Sequence, residues 1–150
     1  MSTPDTGRLI FTPRPAPVSP RLRPAHRVAL LLEMIDKCHG AKATLLQLHA
    51  IDTALADPDA RRRLAGDDSR DVALSAVRVD PALNRAVDRA IGEGLLSMNT
   101  NATVELTPAG RNALEAVRGA DILRAERAAL AEIPGKITRG KARAAAGARP

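Results

Sequence analysis

The chain has 150 residues, a net charge of +6, one Phe, no Tyr or Trp, and a single cysteine. This length favours one domain with appendages, the scarcity of aromatic residues requires an aliphatic core, and a lone cysteine excludes an internal disulfide. The N-terminus lacks a basic-then-apolar signal pattern and no apolar run approaches the ~20 residues that span a bilayer, so we expect a cytoplasmic protein.

The positive charge lies at the two ends of the sequence. Residues 1–27 carry five arginines and one acid, and residues 134–150 carry five bases and no acid. Residues 28–133 hold 13 bases against 16 acids, so the expected folded body is mildly acidic. The Ala- and Arg-rich, Lys-poor composition is typical of a GC-rich bacterial genome.

Residues 1–24 form a segment rich in proline and arginine. Six of the 11 prolines lie here, a density that excludes helix and favours extended or polyproline conformation. Within it, Arg8-Leu9-Ile10-Phe11 suits a short strand or an anchoring peptide. The sequence leaves open whether this N-terminal segment is disordered or docks on a partner.

Two helices are predicted between residue 25 and Ala56. The first covers 25–38, and its apolar face is formed by Val28, Leu30, Leu31, Leu32, Met34 and Ile35. A capping-box pattern from Thr44 to Gln47 starts the second helix, which ends near Ala56. Its expected core contacts are Leu45, Leu48, Ile51, Thr53 and Leu55.

A short third helix over 58–65 begins after Asp57-Pro58. It carries three consecutive bases, Arg61, Arg62 and Arg63. A polar loop follows over 66–69. Residues 72–79 alternate loosely between apolar and polar, which predicts a strand that adds a third member to a small sheet.

The most specific stretch runs over 80–114. Asp80 and Pro81 supply the cap and the first-turn proline of a helix over 80–93, whose apolar face is Leu83, Val87, Ala90 and Ile91. Residues 95–98 and 103–106 predict the two strands of a hairpin, joined by a turn rich in asparagine.

The same device of cap and proline, Thr107-Pro108, starts another helix that continues to about Arg118. Helix, hairpin and helix at this spacing predict the back half of a winged helix-turn-helix. The expected fold class is therefore mainly α with a small β-hairpin wing, and the winged-helix domain covers 25–118.

Two segments follow this domain. Residues 119–133 predict a C-terminal helix with Ile122, Leu123, Ala125, Leu130 and Ile133 at mixed helical spacing. Such a stripe suits docking or dimerisation, and equally a helix that folds back on its own domain. Residues 134–150 are a basic tail, either a weak helix or disordered.

The sequence offers no metal-binding or nucleophilic constellation around its cysteine. Cys38 with His26, His39 and His49 lacks the paired short spacings of a structural zinc site. His39, next to Cys38 at a helix end, is not placed to act as its base. A buried small thiol is the simpler interpretation.

Acidic and glycine-rich motifs are equally incomplete. Asp67, Asp68 and Asp71 cluster in one loop, but no second acidic cluster completes a metal-assisted nuclease site. Gly92 and Gly94 lack the spacing and the lysine of a phosphate-binding loop. We therefore expect neither an enzyme nor a cofactor.

A winged helix that reads DNA inserts the helix before the hairpin into the major groove. Here Arg85 and Arg89 on that helix face three acids, and the turn over 98–104 has no base, although DNA affinity comes largely from Lys and Arg on phosphates. Sequence-specific operator binding is therefore disfavoured. The candidate partner or DNA contacts are Asn84, Arg85, Arg89, Arg61, Arg62, Arg63, Lys136, Arg139, Lys141 and Arg143.

The runs LLEMIDKC, LLQLH and DPALNRA…GEGLL…LTPAGR resemble the winged-helix middle components of bacterial three-component ABC-ATPase conflict systems. The similarity covers about 26–133, and its last run is shared with MarR-like regulators. More distantly, the chain resembles winged-helix subunits of SMC-type complexes, which dimerise and grip partner segments.

The resemblance implies a non-enzymatic subunit beside a large coiled-coil SMC- or Rad50-like ATPase and an effector subunit, in defence against phage or plasmid DNA. It implies no catalytic residue. A homodimer and non-specific DNA contact through the basic ends stay open. The alternative is a MarR-like transcription regulator that binds a palindromic operator.

Overall fold

The computed structural model describes residues 23–66 and 77–147. Most of the predicted N-terminal segment, the aspartates of the 67–71 loop and the last three residues lie outside these ranges. The elements are α1 (Pro24–Lys37), a 3-10 turn (His39–Ala41), β1 (Lys42–Thr44), α2 (Leu45–Ala56), α3 (Pro58–Leu64), α4 (Pro81–Gly92), β2 (Leu96–Met98), β3 (Thr103–Leu106), α5 (Pro108–Ala120), α6 (Arg124–Ala131) and α7 (Arg139–Ala145).

Helix α1 lies at the centre of the molecule. Every residue from Arg27 to Ile35 is buried, and the helix contacts α2, α4, α5, α6 and the sheet. Because it is covered on all sides, α1 is apolar around most of its circumference instead of along one stripe. The predicted apolar face of this helix is confirmed, and the core around it is aliphatic.

The three strands form one antiparallel sheet in the order β1-β3-β2. Ala43, Val104 and Met98 stand in register across it; the first two are buried, and Met98 is half exposed at the outer strand. With α2 and α4 packed beside α1, this sheet completes a winged helix-turn-helix. The predicted fold class, mainly α with a small wing, is confirmed.

The predicted helix caps are confirmed at three N-termini. Thr44 and Gln47 form the reciprocal capping box of α2, and an Asp80 side-chain oxygen accepts from the Ala82 amide at 2.8 Å. The Thr107 hydroxyl accepts from the Gly110 amide and donates to the Gly94 carbonyl, so it also ties α5 to the turn before β2. These short-range signals fix where the helices begin.

The predicted third strand over 72–79 is wrong in its described part. Residues 77–80 have no strand structure, and 72–76 lie outside the described residues. The third strand is instead β1, just before α2, where Lys42, Ala43 and Thr44 pair with β3. Only the long-range partner makes these three residues a strand, so local alternation does not reveal them.

The C-terminal helices differ from the prediction. Helix α5 continues through Gly119 and ends at Ala120, followed by the C-cap residue Asp121 with a φ of 51°, and α6 begins only at Arg124. Leu123, Leu130 and Ile133 are buried, and α6 contacts α1 and α2. These three residues are therefore covered by the protein's own core, which agrees with the alternative in which this helix folds back on its own domain.

The predicted basic tail is folded over most of its length. Ile137 is fully buried and exchanges backbone hydrogen bonds with Lys37 and His39. Helix α7 contacts α2 and α3, and its Ala142 and Ala145 are buried. Among the described residues, no helix combines the length and apolar character needed to cross a membrane.

Candidate functional site

The exposed face of α4 is the surface that a DNA-reading winged helix would present to a groove. Arg85, Asp88 and Arg89 are exposed on it, and Glu93 follows directly. The Arg89 Nε donates to a Glu93 carboxylate oxygen at 2.8 Å. Among the described residues, Arg85 makes no hydrogen bond or ion pair. Two cations are thus matched by two carboxylates on one small face.

Asn84, the predicted base contact on α4, is engaged inside the protein. The backbone N–H of Asp80 donates to His49 Nδ1 at 3.3 Å, which assigns the ring proton to Nε2. That Nε2–H donates to the Asn84 side-chain oxygen at 3.0 Å. Because His49 is buried, this contact satisfies a ring nitrogen that water cannot reach.

A buried arginine joins the N-terminus of α4 to α1 and α2. Arg27, 8% exposed, donates to Asp52 at 3.1 Å and to Asp80 at 2.6 Å. Asp80 therefore caps α4 with one carboxylate oxygen and binds Arg27 with the other. Together with the His49–Asn84 contact, this network fixes the angle between α2 and α4, the two helices of the helix-turn-helix.

The wing turn is held by its own amides. The Asn99 side-chain oxygen accepts from the backbone amides of Asn101 and Thr103, and Ala102 adopts a left-handed φ of 53°. No Lys or Arg lies between Met98 and Val104. The turn itself therefore supplies no cation for the phosphates that DNA-binding wings contact.

The predicted arginine triplet is part of the fold. Arg61 donates to the carbonyls of Ala54 and Leu55 and to Glu132 at 2.7 Å, so it joins α2 and α3 to the end of α6. Arg62 and Arg63 also have partners. Arg61 is consequently not available as a mobile basic contact.

The two lysines among the C-terminal candidate residues lie against the C-terminal end of α1. Lys136 donates to the Asp36 carbonyl, and Lys141 donates to the carbonyls of Pro134 and Lys136. Burial, and then the charges of Lys136 and Lys141, lower the pKa of Lys37. These ammonium groups therefore lie near the end of a central helix, where the last carbonyls of α1 carry partial negative charge and Lys136 binds one of them.

The two C-terminal candidate arginines are exposed on α7. Arg139 stands at the first position of this helix, and one of its terminal nitrogens donates to the Thr103 hydroxyl at the end of the wing turn. Arg143 lies one turn further along and, among the described residues, makes no hydrogen bond or ion pair. Only Arg139 is therefore fixed in position.

A buried carboxylate that the sequence analysis missed links α1 to α5 and α6. Glu33, 5% exposed, accepts from Arg118 at 3.0 Å and lies 3.6 Å from Arg127. Arg118 also donates to Asp36 at 2.7 Å, and its hydrogen bonds to Glu33 are the main cause of a raised pKa of Arg118. The sequence contains one signal of this link, because Glu33 is an acid inside the apolar run of the first helix.

The titratable residues suggested by the sequence do not meet. Cys38 is fully buried, and burial raises the pKa of its thiol to about 12, so the thiolate is scarce at neutral pH. His26 lies 3.3 Å from Glu126, and His49 lies at the helix-turn-helix junction. Within 23–66 and 77–147, no three His, Cys, Asp or Glu residues are grouped to hold a metal ion.

Comparisons with known proteins give no assignment. No family model, no curated protein and no solved structure matches the chain. The candidate function therefore depends on the surfaces described above and on the resemblance seen in the sequence.

Proposed function

We propose that the chain is a non-enzymatic winged-helix adaptor that binds a protein partner through the exposed face of α4. The observation that carries this proposal is the balance of charge on that face, where Arg85 and Arg89 are matched by Asp88 and Glu93. A DNA reader gains affinity by neutralising phosphates, and a face without net charge gains little.

The engagement of Asn84 supports the same proposal. A base contact needs a side chain that is free to present its donor and acceptor to a base edge. Turning Asn84 outward would leave the buried His49 Nε2–H without its partner, which costs about 1–3 kcal/mol. A protein partner requires no such rearrangement.

The resemblance supplies the class of partner. We propose a large coiled-coil SMC- or Rad50-like ABC ATPase, with an effector subunit, acting in bacterial defence against foreign DNA. Mixed charges on the α4 face suit a partner surface that also carries both signs. Ion pairs between two such surfaces set the orientation of the partners more than their affinity.

Co-purification tests this proposal. The full chain is co-expressed with a coiled-coil ABC ATPase encoded in the same genome, and the mass of the complex is measured by light scattering after size exclusion. We expect a stable complex that Asp88→Lys weakens at least tenfold. Arg124→Glu, on the exposed surface of α6, is the control and leaves the complex intact. No complex, or equal loss with both variants, would contradict the proposal.

The alternative is a MarR-like transcription regulator. It is favoured by Arg85, which is exposed on α4 and has no partner among the described residues. A regulator would show salt-sensitive binding to a palindromic operator, and that binding would be lost in Arg85→Ala. Selection of bound duplexes from a random-sequence pool distinguishes the regulator from the adaptor.

A further inference from the structure

A polar groove of about 390 Å³ lies between β1, the wing turn and the start of α7. It is distinct from the α4 face, and none of the described residues that line it carries a carboxylate. The lining residues are His39, Lys42, Gln47, Asn99, Asn101, Thr103, Thr138 and Arg139.

Arg139 is held in this groove at one point. Its hydrogen bond to the Thr103 hydroxyl is 2.8 Å long, and Thr103 is only 3% exposed. Among the described residues, the other N–H groups of Arg139 have no partner. A guanidinium that is positioned by one hydrogen bond and keeps several donors free is suited to an anion with several oxygens.

Lys42 adds a second cation to the lining of the groove. Its ammonium lies 3.1 Å from Glu105, across the β1–β3 pair, where both side chains are in contact with solvent. Exposed pairs of this kind are weak, so Lys42 can turn to another anion at little cost. His39 is exposed beside it, and Gln47 is held by the Ile137 carbonyl.

We propose that this groove binds a phosphate group. Two cations, amide side chains and hydroxyls line it, and guanidinium with ammonium is the combination that proteins use for phosphate oxygens. Its volume lies in the range of small-ligand sites and exceeds a single phosphate, so part of the attached molecule also enters. The polar lining favours a hydroxylated attachment, such as a sugar. This proposal does not depend on the adaptor function.

The phosphate can come from two sources, a free phosphorylated molecule or the backbone of a nucleic acid. The test is the backbone amide spectrum of the ¹⁵N-labelled full chain at constant ionic strength. Its arms are inorganic phosphate, ribose 5-phosphate, and a short duplex DNA without terminal phosphates, each compared with chloride. We expect saturable shifts at Asn99, Asn101, Thr103 and Arg139 in the arm that supplies the natural source.

Arg139→Ala is expected to weaken the binding about tenfold, which corresponds to about 1.4 kcal/mol. Arg143→Ala is the matched control, because Arg143 is an exposed arginine on the same helix outside the lining. Lys42→Ala provides a second loss that does not disturb the contact of Arg139 with Thr103. If the duplex is the source, Arg139→Ala also lowers the salt dependence by about one phosphate contact.

Three results would overturn the proposal. In the first, the groove amides show no saturable shift in any arm. In the second, Arg143→Ala weakens binding as much as Arg139→Ala, which would indicate diffuse attraction. In the third, the duplex shifts the amides of α4 and leaves those of the groove unchanged. The thermal unfolding midpoint of each variant is measured first, so that loss of binding is separated from loss of fold.

Discussion

The α4 face and the groove beside α7 carry similar cations in different settings. On α4, Arg89 is bound to Glu93 and Asp88 offsets Arg85. In the groove, Lys42 is also paired with a partly exposed acid, Glu105, but among the described residues Arg139 has no carboxylate partner. The number of bases in a segment is therefore a poor guide to anion binding. The local charge balance in the fold decides which surface attracts an anion.

Gly110→Ala should have the largest effect, because it disturbs the close packing of α5 against the turn before β2. A Cβ at Gly110 would collide with the Leu95 carbonyl, a backbone atom that cannot rotate away. We expect a loss of about 3 kcal/mol in unfolding free energy, measured by urea denaturation. Gly119→Ala, with open space around its Cβ, is the control and should be neutral or slightly stabilising.

Arg27→Met separates the two surfaces, because it breaks the network beneath α4 and leaves the groove intact. Asp52 and Asp80 lose their buried partner, and since Asp80 is partly exposed we expect a cost of about 2 kcal/mol. Amide shifts should concentrate in α2 and α4. Arg124→Met, at an exposed ion pair, should change stability by less than about 0.5 kcal/mol. Equal losses would contradict the role of Arg27.

Asn84→Ala tests whether Asn84 is held by His49 or is free on the α4 face. It leaves the His49 Nε2–H unsatisfied, so we expect a loss of about 1 kcal/mol in thermal or urea unfolding. Asn112→Ala, an exposed asparagine on α5, is the matched control and should cause no loss. A neutral Asn84→Ala would show that this side chain is free to contact a partner.

Labelling of the Cys38 thiol, which perturbs the protein least, tests whether the segment before α7 stays docked beside the groove. Cys38 is fully buried, and the backbone of Ile137 lies beside it. We expect no reaction with a thiol reagent at pH 8 until denaturant is added, since the pKa of the thiol is raised to about 12. Rapid labelling of the native protein would show that the segment before α7 does not stay docked.

Local signals in the sequence predicted the helix starts and the wing well. Asp80 and Thr107 cap the helices that begin at Pro81 and Pro108, and the hairpin depends on residues a few positions apart. The sequence could not show that Thr103 meets Arg139, or that Glu33 meets Arg118, because these partners are 36 and 85 positions apart. The groove therefore escaped prediction, although Arg139 was among the candidate residues.

The most direct test of the α4 face is selection of bound duplexes from a random-sequence DNA pool with the full chain. Arg85 and Arg89 offer no net charge against Asp88 and Glu93, so we predict that no sequence is enriched above the starting pool. Enrichment of one palindromic sequence that is lost in Arg85→Ala would contradict the adaptor and establish a DNA reader.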